Sequence, residues 1–168
     1  MLHPVSGDIL LTKSEAIAHG IAPNDDFKQG LALALREQYP SMVRDFRHWC
    51  HSAKPKPGEA WIWSGVGAEG RPIRVINMMT QQPSEGHGQH PGRATLANVN
   101  HALHALKKLV EKEGLKRVAL PRLATGLGGL KWDEVRPLLH KVLDDVNCEF
   151  YVYTTYKAGV QAEQETKS

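Results

Sequence analysis

The chain has 168 residues, 41% of them hydrophobic and 23% charged, which is the size and make-up of one globular domain and excludes a disordered or low-complexity chain. Two distant cysteines, Cys50 and Cys148, exclude a disulfide framework and form no zinc-binding pair. The net charge of +3 is spread among interleaved acids and bases, so nucleic acid is a weakly supported partner.

The opening residues, MLHPVSGDILLTKSEA, lack a basic segment followed by an apolar run, and no stretch approaches a membrane span. The expectation is a cytoplasmic, monomeric domain without a membrane partner. In chain order, Val5 to Leu11 and Ala16 to Ala22 are apolar runs too short for helices and read as strands. Phe27, Leu31, Leu35 and Tyr39 recur every fourth residue and predict a helix face, closed by Pro40. Ser41 is placed to cap a second helix, with Met42, Val43, Phe46, Trp49, Cys50 and Ala53 as its stripe. Glu59 to Ser64 and Pro72 to Met79 flank a Gly-rich turn and predict a strand pair. Thr95 opens a long helix bearing Leu96, Val99, Leu103, Leu106 and Val110 on one side, stopped by Gly114.

Arg117 to Leu120 predicts a buried strand ended by Pro121. Asp133 and Glu134 suit the start of a further helix through Leu138, Leu139 and Val142, with Pro137 near its first turn. Phe150, Val152 and Thr154 alternate with Tyr151, Tyr153 and Thr155 in a last strand, and the polar residues beyond Lys157 are expected to be loose. Strands alternating with helices predict a three-layer α/β/α domain, whose ligand sits where loops and helix N-termini meet the carboxyl ends of the strands.

Three segments occupy such positions. In Leu120 to Trp132 (LPRLATGLGGLKW) a buried strand runs into Thr125, Gly126, Leu127, Gly128 and Gly129, and a helix follows at once. Glycines let backbone N–H groups approach an anion closely, which suits a diphosphate. No Lys-Ser or Lys-Thr follows, so this is not a nucleotide-hydrolysing P-loop, and no G-x-G-x-x-G follows the first strand. Ser6-Gly7-Asp8-Ile9 places a carboxylate at a strand end, where it can accept from an exocyclic amine. His19 to Ala32 (HGIAPNDDFKQGLA) is a strand end, a polar loop with Asn24, Asp25 and Asp26, and a helix start around Lys28, Gln29 and Gly30.

Together these segments resemble the macrodomain family over roughly residues 5 to 156. The Pro-Arg-x-x-x-Gly-Leu-x-x-Leu-x-Trp string is similar to the branch of terminal ADP-ribose protein glycohydrolase and the DNA ADP-ribosyl glycohydrolase antitoxins, and His19 and Ile21 fit that branch. The resemblance implies a macrodomain over 1–156 with a mixed central sheet, a polar tail over 157–168, and ADP-ribose or an ADP-ribosylated macromolecule as partner. No cofactor and no metal are expected: the pairs His48/His51, His87/His90 and His101/His104 have no evident carboxylate or cysteine partner. Asp8 would accept from the adenine amino group and the Ile9 backbone would fix the ring. Tyr153 or Tyr156 would stack on adenine, and Thr125 to Gly129 would wrap the diphosphate opposite the Gly30 helix start. Asn24, Asp25 and Asp26 would lie near the distal ribose, with Asp25 or Asp26 as the catalytic candidates.

Two departures qualify catalysis. The glycohydrolase branch carries a lysine just after the corresponding strand end, where this chain has Gln81 in Met79-Thr80-Gln81-Gln82, and an amide cannot form a Schiff base. The protein glycohydrolase also has an aspartate at the position of Gly128, and glycine supplies no general base. The expected function is therefore ADP-ribose binding with hydrolysis of an ADP-ribosyl linkage, and the alternative is a non-catalytic ADP-ribose reader. Residues 83–92 (PSEGHGQHPG) look like an insertion whose His87 and His90 offer neutral-pH acid–base groups.

Overall fold

The computed structural model describes residues 1–67, 70–86 and 91–162. His87 and His90 lie outside the described residues, as do 163–168. The strands are β1 (Leu2–Gly7), β2 (Ala16–Ile21), β3 (Ala60–Val66), β4 (Pro72–Met79), β5 (Arg117–Pro121) and β6 (Glu149–Tyr156). The helices are α1 (Gly30–Gln38), α2 (Pro40–Ala53), α3 (Leu96–Glu113) and α4 (Trp132–Leu143). Among the described residues the strands form one sheet in the order β1-β6-β5-β2-β4-β3. Every neighbouring pair is parallel except β3 with β4, so the sheet is mixed.

Strand periodicity builds the two cores. Ala16, Ala18, Ile76, Met78, Val118, Leu120, Phe150 and Val152 face one way, onto α3 and α4. Ile17, Ile21, Val75, Met79, Ala119, Tyr151 and Tyr153 face the other way, onto α1 and α2. Each fully buried Val, Leu, Ile, Met or Phe among them stabilises the fold by about 1.5–3 kcal/mol. The result is the expected three-layer α/β/α domain. Helix α3 begins as expected, with Thr95 Oγ1 accepting from Asn98 N at 3.1 Å, and ends on Gly114 at φ 64°.

Four local expectations change. Val5 to Leu11 is not one strand: β1 stops at Gly7, and Asp8 caps a short 3₁₀ turn over Ile9–Leu11 by accepting from Leu10 N at 3.0 Å. Phe27 precedes the helix rather than belonging to it, buried at φ 56° with its ring edge-on to Phe46. Pro40 opens α2 as well as ending α1, because its fixed φ suits a first helical turn, so Tyr39 and not Ser41 is the cap residue. Pro137 sits a turn deeper in α4 than expected, on the exposed side, where water can satisfy the carbonyl it leaves without a donor.

The chain after Lys157 is also not loose over 157–162. Lys157 N donates to Gly7 O at 3.0 Å, Asp8 N to Val160 O at 2.7 Å and Gln161 Nε2 to Leu11 O at 3.2 Å, and Ala162 is fully buried. A Cβ on Gly7 would lie 2.8 Å from Val160 O, so glycine lets the strap lie flat on the end of β1.

Candidate functional site

A cleft of about 320 Å³ opens at the carboxyl ends of β2, β4 and β5, within the range of small-molecule sites. The glycine-rich loop forms one wall. Ala124 takes a left-handed φ of 63°, and the chain turns back through Leu130 N to Ala124 O (2.9 Å) and Gly129 N to Gly126 O (3.1 Å). Gly128 is buried against the Ala124 backbone, and a Cβ there would lie 2.6 Å from Ala124 O. The Gly126, Leu127 and Gly128 amides donate to no other group among the described residues, and all three residues line the cleft. Thr125 and Gly129 do not line it; Thr125 Oγ1 donates to Arg122 O at 2.9 Å and holds the turn.

The opposite wall is the start of α1. Gly30, at φ 59°, with Leu31 and Ala32 lines the cleft, and first-turn amides have no partner within their own helix. Two sets of amide dipoles therefore converge on one volume, the arrangement that binds a phosphate group.

The two loop carboxylates have different surroundings. Asp25 is buried, with Oδ2 accepting from Ala22 N at 3.0 Å and Oδ1 from Phe27 N at 2.9 Å. Burial nonetheless pushes its pKa up, with neighbouring Asp26 adding to the effect. Asp25 thus holds the left-handed turn made by Asn24 (φ 59°) and Phe27. The Asp26 carboxylate is 37% exposed, borders the cleft and pairs with Lys28 Nζ at 3.4 Å. Asn24 itself does not line the cleft.

His19 and Gln81 form the floor. Asn77 offers its Nδ2 to Met42 Sδ at 3.9 Å, so its Oδ1 accepts from His19 Nε2 at 2.7 Å. His19 is therefore neutral and protonated on Nε2, and burial pushes its pKa down to about 4. Gln81 Nε2 donates to Gly92 O at 3.0 Å, which ties the floor to the segment returning towards α3.

The His19 arrangement predicts a pH dependence. The unfolded chain takes up the imidazole proton near 6.5 and the folded chain only near 4, so stability is full above 6.5 and is lost as pH falls towards 4. The total loss is about 3 kcal/mol. In His19→Gln an amide N–H can still donate to Asn77, and the denaturant midpoint should lose one proton of pH slope relative to the parent. Parallel pH profiles for the two proteins would refute the assignment.

The base-side residues lie apart from this cleft. Asp8 Oδ1 accepts from Leu10 N and Oδ2 from Gly159 N of the strap at 3.0 Å. Ile9 and Tyr153 are buried, Tyr156 is 69% exposed at the end of β6, and none of the four lines the cleft. Lys28, Arg122 and Pro91 also line the cleft, beyond the site residues expected from the sequence. The visible signal for Lys28 was its place two residues after Asp26.

The three layers, the mixed sheet and the glycine-loop cleft at the strand ends together make the macrodomain architecture. The macro domain family model matches residues 19–139, and the chain belongs to that family. It is 27% identical over 149 residues to the DNA ADP-ribosyl glycohydrolase of Mycobacterium tuberculosis, an alignment that covers 87% of this chain and 40% of that protein. It is 22% identical over 151 residues to human ADP-ribose glycohydrolase OARD1, covering 89% of each. The chain thus spans about 40% of the length of the bacterial glycohydrolases it matches. Among solved structures, the macrodomain of Mycobacterium tuberculosis DarG superposes with a TM-score of 0.78 at 22% identity, covering 91% of this chain and 97% of that one. Thermosipho africanus DarTG in complex with ADP-ribose gives a TM-score of 0.78 at 19% identity, covering 94% and 42%. Among the described residues no helix is long and apolar enough to cross a membrane.

Proposed function

We propose that the domain binds ADP-ribose and hydrolyses an ADP-ribosyl linkage on a protein, a nucleic acid or a small derivative. The observation that carries the reading is the convergence of the Gly126–Gly128 amides and the α1 start on one cleft beside the Asp26 carboxylate. In this reading the amides hold the diphosphate and the distal ribose lies towards Asp26. Asp26 takes a proton from water as the water oxygen bonds to the anomeric carbon. The bond from that carbon to the acceptor breaks, the acceptor leaves and takes its proton from solvent, and Asp26 returns its own proton to solvent. Lys28 offsets the repulsion between Asp26 and the diphosphate. Support also comes from the relatives, the bacterial and human proteins alike being named glycohydrolases, and from the ADP-ribose in the Thermosipho structure.

The full ligand also needs its base end placed. Asp8, Ile9 and a tyrosine of β6 are proposed for adenine, with the 157–162 strap against them. Of the two acidic candidates, Asp26 is proposed for chemistry and Asp25 for holding the loop, since both Asp25 oxygens are engaged by backbone amides. The alternative, a non-catalytic reader, is favoured by Gln81 on the floor and by the lack of room for any side chain at 128.

The test is incubation of the protein with glutamate-, serine-, arginine- and thymidine-linked ADP-ribose and with ADP-ribose 1″-phosphate, with ADP-ribose binding measured by calorimetry alongside. Turnover of one member is the expected outcome. Binding without turnover selects the reader, and no binding refutes both readings.

A further inference from the structure

Gln81 lines the cleft although it is only 6% exposed, so its amide is held in place before any ligand arrives. Nε2 donates to Gly92 O at 3.0 Å. A carbonyl oxygen only accepts, which fixes the amide nitrogen towards Gly92 and turns Oε1 away from it. The anchor is itself fixed. Gly92 N donates to Gln82 O at 2.8 Å, Gln82 N to Arg93 O at 3.2 Å, and Gln81 bridges Ala94. A Cβ on Gly92 would lie 2.8 Å from the Gln82 Cβ, so glycine allows this close approach.

Oε1 takes no hydrogen bond from a described residue. It is not sealed off either: the side-chain polar atoms that are both buried and unpartnered among the described residues are Thr80 Oγ1, Asn98 Nδ2 and Asn100 Oδ1. Oε1 therefore stays open to the cleft, as an acceptor of fixed direction. Strand alternation carries Asn77, Met79 and Gln81 to the α1 and α2 side of the sheet, together with His19. His19 Nδ1, which Asn77 leaves unengaged, is likewise an acceptor in the neutral ring. The floor thus presents acceptors while both walls present amide donors. Phosphate oxygens are acceptors too, so a diphosphate is drawn to the walls and repelled by the floor, whereas a hydroxyl group suits the floor.

We infer that Gln81 is a specificity-determining residue: its Oε1 accepts a hydrogen bond from a hydroxyl of the distal ribose and so selects a sugar-bearing diphosphate over the nucleoside diphosphate alone. The inference rests on the ADP-ribose reading, in which the distal ribose lies towards Asp26 on the border of the same cleft. It gives the glutamine a role that needs no covalent chemistry. That role is the same whether the bound linkage is hydrolysed or only read.

The test is calorimetry of the whole chain with ADP-ribose and with ADP, for the parent, Gln81→Met and Gln81→Ala. Methionine keeps the length of glutamine without its acceptor; it decides the test, and alanine replaces it if the methionine variant does not fold. The quantity read is the loss of ADP-ribose affinity divided by the loss of ADP affinity in the same variant, since ADP lacks the distal ribose. Removing one neutral hydrogen bond should weaken ADP-ribose binding about 3- to 10-fold and leave ADP within about twofold of the parent. A ratio below about three overturns the proposal while leaving the ADP-ribose reading intact. If both ligands weaken together, Gln81 only holds the wall through Gly92; if neither weakens, the hydroxyl binds elsewhere. A parent that does not bind ADP-ribose removes the reading and the proposal together.

Discussion

Asp26→Asn is expected to slow hydrolysis of the turned-over ADP-ribosyl substrate by about 100-fold or more, with ADP-ribose affinity changed by no more than about threefold, the signature of a lost general base. The amide keeps the size of the carboxylate and its place beside Lys28 but accepts no proton from water. The loop should persist, because its conformation depends on Asp25 and not on the Asp26 carboxylate: the bonds to Ala22 N and Phe27 N both come from Asp25. Asp25→Asn gives the contrasting pattern. One of its two buried amide contacts becomes an N–H facing an N–H, so stability and binding fall together, by about 1–3 kcal/mol of folding free energy. Single-turnover rates, calorimetry and denaturant melts on both variants separate the roles. Unchanged turnover in Asp26→Asn would remove Asp26 from the mechanism.

The second large effect is at Gly128. An alanine methyl group there would lie 2.6 Å from Ala124 O and 2.9 Å from Ala124 C and Cα, all backbone atoms of a turn already held in a left-handed conformation. The turn must open, and with it the Gly126, Leu127 and Gly128 amides lose their common direction. Losing two charge-assisted hydrogen bonds corresponds to about 3–6 kcal/mol, so Gly128→Ala should weaken ADP-ribose binding by about 100-fold or more. The strands and helices lie outside this turn, which meets one core only through Leu123, Ala124 and Leu130, so the far-ultraviolet circular dichroism of the variant should match the parent. Affinity within threefold in a folded variant would show that the amides do not hold the ligand. The same geometry bears on Gly128→Asp: a carboxylate introduced there disrupts the wall before it can act as a base.

Legibility in the sequence followed the range of the interaction. Strand alternation placed Phe150 and Val152 opposite Tyr151 and Tyr153, and each pair reached its own core, because the period of a strand is a local property of the backbone. Thr95 and Gly114 marked both ends of α3 for the same reason, since caps act within a few residues. The junction at Pro40 was misread because one proline satisfies two local rules, ending one helix and starting another, and only the packing of α1 and α2 chooses. The polar composition after Lys157 pointed to a loose tail, yet the bonds that hold it go to Gly7, Asp8 and Leu11, far away in sequence.

The candidate site divides in the same way. The amino-acid sequence by itself determined the three-layer α/β/α plan, the family, and the loops that meet at the strand ends, because periodicity and glycine spacing are written along the chain. Only the tertiary structure decided that Asp25 holds a turn while Asp26 borders the cleft, that Gly128 has no room for a side chain, and that Asp8 lies beneath the chain's own strap. Those distinctions depend on what each carboxylate or Cβ position meets from a distant segment, and close packing of such segments is a property of the folded molecule.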